Sequence, residues 1–280
     1  MNEIVKPGRI FFAVAIMALG VQHLLCGWFR LFDGRSFPGE TPFAVIPWVP
    51  PHLWLAYLTG VVLLIAGFCL IANICPRTTA TWLGILFLFF VIFLEASRLI
   101  RLGARTTFFE TLAICGSAWM LAETSAPEDS HKPTPALEWL IKSGPFLFAF
   151  SSVVFGVDHL LYLRFVATLV PSWIPWHLFW AYFTAFAFIA AGLSIGTRQL
   201  AAWAGTLLGT MFLLWFVLLH LPRALGLSAT SGPRAPHNPN EWSSAFIALA
   251  MAGGGWIAAR LALQNRTQRL QRTRGMVASS

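Results

Sequence analysis

Nine polar side chains stand out from an otherwise apolar chain, and most of them come in pairs. His23 closes Gly20-Val21-Gln22-His23, and His159 closes Gly156-Val157-Asp158-His159. His52 closes Trp48-Val49-Pro50-Pro51-His52, and His177 closes Trp173-Ile174-Pro175-Trp176-His177. Arg98 comes three residues after Glu95, and Arg223 three residues after His220. A histidine exchanges a proton near neutral pH and hydrogen-bonds carbonyl or hydroxyl oxygens. An arginine supplies fixed donors, and a carboxylate carries a proton or balances a cation. Together such groups can bind an oxygen-bearing ligand, relay protons or, through two histidines, hold a haem. The spacing assigns no catalytic residue.

Each position also has a plainer reading. Proline is tolerated in a first helical turn, where its missing N–H had no partner, and tryptophan belongs at a membrane interface. His52 and His177 can therefore be helix-start residues that meet headgroups. Tyr57 and Tyr182 follow five residues later, away from the histidine face, and read as packing or inter-helix hydrogen-bonding groups. Arg98 and Arg223 can snorkel from helix ends. His23 and His159 lie deeper, where an imidazole needs a partner and marks a functional position by default. Asp158, beside His159, is the costliest side chain of the second half if unpaired, and Arg223 is its expected partner. At i, i+3 spacing Glu95 and Arg98 share a face and form an internal ion pair, whereas His220 and Arg223 need another acid. No metal site is expected. Cys26, Cys69, Cys75 and Cys115 form no C-x-x-C pair and do not recur between the halves.

The elements that carry these residues follow from composition and repetition. Of 280 residues 57% are hydrophobic and 11% charged, against about 25% charged in a soluble domain. No soluble fold of this size hides so much apolar surface, so the chain is an integral membrane protein. The block Trp48 to Thr59 matches Trp173 to Thr184 without a gap, and each continues to an Ala-Gly pair, Ala66-Gly67 and Ala191-Gly192. The match extends to Gly116-Ser117-Ala118-Trp119 and Gly253-Gly254-Gly255-Trp256, small residues that allow close helix contact. The chain is an internal duplication.

Apolar runs long enough to cross about 30 Å of hydrocarbon fall near 10–30, 53–74, 79–99, 107–123, 143–163, 177–196, 200–221 and 243–262. This predicts an all-α polytopic fold of eight transmembrane helices, arranged as two parallel four-helix repeats related by an axis along the membrane normal. The repeats span 1–124 and 143–264, joined by a polar loop at 125–142 and followed by a basic tail at 265–280. The first apolar run resembles a signal peptide, but its Gly20 to Leu25 matches Gly156 to Leu161, so it reads as a retained span. With four helices per repeat, all the paired polar residues converge on one membrane face. The side bearing both termini holds Lys6, Arg9, Arg77, Lys132, Lys142, Arg198, Arg260, Arg266, Arg269, Arg272 and Arg274. The other holds Arg30, Arg35, Arg98, Arg101, Arg105, Arg164, Arg223 and Arg234. Both termini are therefore expected in the cytoplasm, with the tail deciding the balance. Beside a membrane span, such a tail meets anionic lipid rather than nucleic acid.

The Gly-x-x-His of the first span, the Pro-x-His start of the second, the Arg ending the third and the Gly-rich fourth span (Ala252 to Trp256) resemble the DoxX-like membrane proteins. Those are four-helix units, and this chain is similar to two in tandem over nearly its full length. The resemblance implies a bacterial inner (plasma) membrane location and quinone-linked redox work. On that expectation His23 or His159, with Arg98 or Arg223, donates to quinone carbonyls, and a redox partner protein supplies electrons. A haem b variant would use His23–His52 or His159–His177. Two alternatives stay open: a small-solute or proton-coupled transporter using Asp158, Glu95 and His220, and a non-catalytic assembly subunit whose polar residues staple the bundle.

Overall fold

A computed structural model describes residues 7–26, 53–96, 99, 105–125, 134–227 and 239–279, and every described element is a helix. In chain order these are α1 (Gly8–Cys26), α2 (Leu53–Ala72), α3 (Pro76–Phe90), α4 (Arg105–Thr124), α5 (Pro135–Leu161), α6 (Leu163–Leu169), α7 (His177–Thr197), α8 (Ala201–Trp215), α9 (Leu221–Ala224) and α10 (Pro239–Ser279). α3 continues into a π-helical segment, Val91–Glu95, and α8 into another, Phe216–His220.

Seven of the described helices are long and apolar enough to cross a membrane. The predicted fourth segment is α4, which is 20 residues long, about 30 Å, but is not among the seven. Its environment explains its composition. α4 packs against α3, α5 and α10, and nearly every side chain from Phe109 to Thr124 is buried. A helix sheathed by protein need not be greasy, and α4 accordingly carries Arg105, Glu110 and Glu123.

The main packing pairs are α1 with α2, α5 with α7, α3 with α4, α8 with α10, α4 with α5, α1 with α10, and α4 with α10. Close approach at glycine sets several of them. A Cβ on Gly116 would lie 2.7 Å from the Gly144 carbonyl oxygen, and one on Gly253 would lie 2.7 Å from that of Gly8. Small residues here replace hydrophobic drive, which lipid does not supply between helices. Where α4 crosses α10, Ser117 faces Gly254, and a Cβ there would collide with the Ser117 hydroxyl.

Two boundaries differ from the sequence reading. The joint expected as a loop to residue 142 is helical from Pro135. Thr134 accepts from the Leu137 N–H at 3.4 Å, Pro135 opens the first turn, and Lys142 pairs with Glu138 one turn earlier at 2.7 Å. The basic tail is no separate segment either. It continues the last helix, so α10 runs 41 residues, about 60 Å, twice the hydrocarbon thickness.

Candidate functional site

Helix directions place the paired polar residues at one end of the bundle. α1 and α10 run antiparallel, because Gly8 lies beside Gly253 while Gln22 donates to Ser243 Oγ at 2.9 Å. α4 and α10 run parallel, because Ser117 meets Gly254 and the Gln264 amide reaches the Thr124 carbonyl at 3.5 Å. Thus Gln22, His23, Asp158, His159, Arg223 and the starts of α4 and α10 share one end. The opposite end holds the Arg9–Asn73 hydrogen bond. His52 and Arg98, and with Arg98 the expected Glu95–Arg98 ion pair, lie outside the described residues.

The expected Asp158–Arg223 pair does not form. Asp158 Oδ1 instead accepts from Arg105 at the start of α4, from Nε at 2.8 Å and from Nη2. Arg223 is bound by Glu241 at the start of α10. Its Nε and Nη2 donate to the two carboxylate oxygens, each at 3.2 Å, and the side chains are 5% and 2% exposed. The fork-on-carboxylate geometry explains why so buried a pair is tolerated. Sequence reasoning missed Arg105 and Glu241 because both were read as loop or helix-end charges. The available signal was the need of each buried charge for an opposite one.

The two deep histidines are held alike. His23 Nδ1 donates to the Leu19 carbonyl at 2.8 Å, and His159 Nδ1 donates to the Phe155 carbonyl at 2.8 Å. Each ring is thereby anchored to its own preceding turn, but the surroundings differ. His23 is fully buried, as is Glu95. His159 is half-buried within an aromatic cluster. Its ring stacks on Trp215, with centroids 5.5 Å apart and planes 14° apart, and meets Phe188 edge-on at 5.1 Å. Phe188 contacts Phe155, Phe212 and Trp215 in turn. His220 ends the π-helical segment next to Trp215 and is half-buried.

His177 opens α7, flanked by the exposed Trp173 and Trp176, as expected at a membrane interface. It does not join His159. Gly156 lies against Ala185 and Ile189, so His177 stands at least one turn nearer the end than His159. Tyr57 and Tyr182, expected to pack or hydrogen-bond between helices, are exposed. Their amphipathic rings sit one to two turns from the helix starts, the depth at which an aromatic ring gains from an interface. Among the described residues no three His, Cys, Asp or Glu side chains are placed to hold a metal ion. Comparison with family models, curated proteins and solved structures gives no match.

Proposed function

We propose that this chain is an eight-span DoxX-like protein of the bacterial inner membrane, with both termini cytoplasmic, that binds a quinone-class ring in its second four-helix repeat on behalf of a redox partner. The family reading rests on the sequence motifs. Matched local geometry supports the two-repeat reading. Asn73 and Cys75 before α3 have left-handed backbone, as do Arg198 and Leu200 before α8. Gly67 lies against Ala13 and Met17, and Gly192 against Ala149 and Val153. Ser117 and Gly254 are equivalent positions that touch each other, as residues on a two-fold axis do. On this reading α4 is the eighth span, shielded at the axis.

The single observation that carries the functional reading is the His159–Trp215–Phe188 cluster. It joins a flat aromatic surface to one fixed polar group within an apolar bundle, which suits a planar ring bearing oxygen. The test is photolabelling of the purified protein with an azido-quinone. Label on α5 or α8 that is lost in Trp215→Leu supports the reading; label confined to other helices, or none, sinks it.

The ion pairs favour a second reading, an assembly subunit whose polar residues staple the helices. It expects His159 and Trp215 variants to lose stability without any change in labelling by ring compounds. A transporter is less well supported, since Asp158, its main carboxylate, is committed to Arg105.

A further inference from the structure

The carbonyl oxygen of Phe155 can only accept, so the hydrogen on that bond belongs to His159 Nδ1. An imidazole with one proton then has a bare Nε2, which accepts and cannot donate. Among the described residues none bonds to that nitrogen. A ketone oxygen placed there would set lone pair against lone pair, whereas a hydroxyl would donate to it. This reverses the role expected from sequence, in which the histidine donates to a quinone carbonyl.

The two halves also differ in access. His23 makes the same Nδ1 bond to its preceding turn, but it is fully buried. The positions matching Phe155, Phe188, Phe212 and Trp215 are Leu19, Leu63, Phe87 and Phe90, all buried. The residues flanking them face outward in both halves, Leu214, Val217 and Leu218 like Phe89, Ile92 and Phe93, but Trp215 is half-buried where Phe90 is buried, and His159 keeps an exposed edge. A ring compound dissolved in the bilayer can reach one histidine and not the other.

We infer that the second repeat takes the reduced, hydroxyl-bearing form of its ring ligand, a quinol or other lipid-soluble phenol. The ligand O–H donates to His159 Nε2, and one such ligand binds per chain. This rests on the ring-binding reading above and adds the ligand's hydrogen-bonding sense and its stoichiometry.

The experiment is equilibrium binding to the intact chain in detergent, with three probes of one short-chain ring: the hydroquinone, its dimethyl ether and the corresponding benzoquinone. The hydroquinone should bind one per chain and about tenfold more tightly than either other probe, the worth of one well-made hydrogen bond against an unmet acceptor. In His159→Phe that preference should vanish while ring binding persists. Because the probes are compared on the unaltered protein, the outcome does not depend on a variant folding. Benzoquinone binding as tightly as hydroquinone would overturn the inference and leave the ring site standing. Two hydroquinones per chain would overturn the single-site claim, and no binding of any probe would overturn the ring-binding reading itself.

Discussion

Removing Arg223 tests the polar end of the bundle most directly. Its guanidinium makes two hydrogen bonds of 3.2 Å to Glu241, and the two side chains are 5% and 2% exposed. Arg223→Met keeps most of the side-chain volume and strips that carboxylate of its fork. Breaking one side of so buried a pair costs about 3–5 kcal/mol, because the remaining charge keeps its desolvation cost and loses its attraction. Using the lower figure and about 2–4 °C per kcal/mol for a chain of this order, the melting temperature should fall by roughly 6–12 °C. Neutralising both partners, Arg223→Met with Glu241→Gln, should recover most of that loss. The assay is thermal unfolding in detergent, run as double-mutant cycles. Coupling between Arg223 and Glu241 should be about 2 kcal/mol or more, and between Arg223 and Asp158 under about 0.5 kcal/mol. A drop below about 2 °C for Arg223→Met, or stronger coupling to Asp158 than to Glu241, would refute the pairing.

Three further outcomes follow from the packing. Gly116→Val and Gly253→Val should each abolish monodisperse protein in size-exclusion runs, since their Cβ atoms would lie 2.7 Å and 2.6 Å from backbone atoms of the facing helix; normal profiles for either would contradict the close crossing. Gln22→Ala loses the two neutral hydrogen bonds exchanged with Ser243 and should cost about 1–2 kcal/mol, whereas Asp158→Ala strands Arg105 and should cost about 3 kcal/mol in the same melts. Replacing Arg266, Arg269, Arg272 and Arg274 by Gln should leave the melting temperature within about 2 °C, because that stretch of α10 is exposed, but should mix or reverse the orientation read by terminal reporter fusions.

Much of the architecture is legible in the sequence because lipid leaves the chain few choices. Long apolar runs must be helices, and each of the eight falls on one, seven of them long and apolar enough to cross a membrane. The convergence of His23, His159 and Arg223 on one end also follows from helix count. Partner choice does not. Asp158 and Arg223 both lie in the second half, so pairing them assumes that each half folds on itself. The helices instead interleave, with α1 on α10 and α4 on α5. Asp158 therefore meets Arg105, and Gln22 meets Ser243, each across the halves. The sequence marks α4 as a span like the others because its burial depends on neighbours far away in sequence. The reach of α10 is hidden too, since residues 266–274 are all exposed and leave no buried periodicity to read.

That interleaving suggests why the halves differ. If each half descends from a unit that paired with its own copy, the interface was once identical on both sides. A second-half pair would set Asp158 of one copy against the start of α10 in the other, where Glu241 and Trp242 stand in place of Arg105. Two buried carboxylates would then lack that cation, at a cost of several kcal/mol. A first-half pair would set Gln22 against Arg105, a weaker mismatch that leaves a cation half-satisfied. Only the mixed pair matches Asp158 to Arg105 and Gln22 to Ser243. The Asp158–Arg105 bond thus selects the hetero-arrangement, by penalty as much as by attraction. When the chain is cut between Ser125 and Thr134 and the halves are co-expressed, they should co-purify in a one-to-one complex. The second half alone should fail to form stable dimers until Asp158 becomes Asn, which removes the charge and keeps the shape. Stable second-half dimers with Asp158 intact would show that the bond plays no part in choosing the partner.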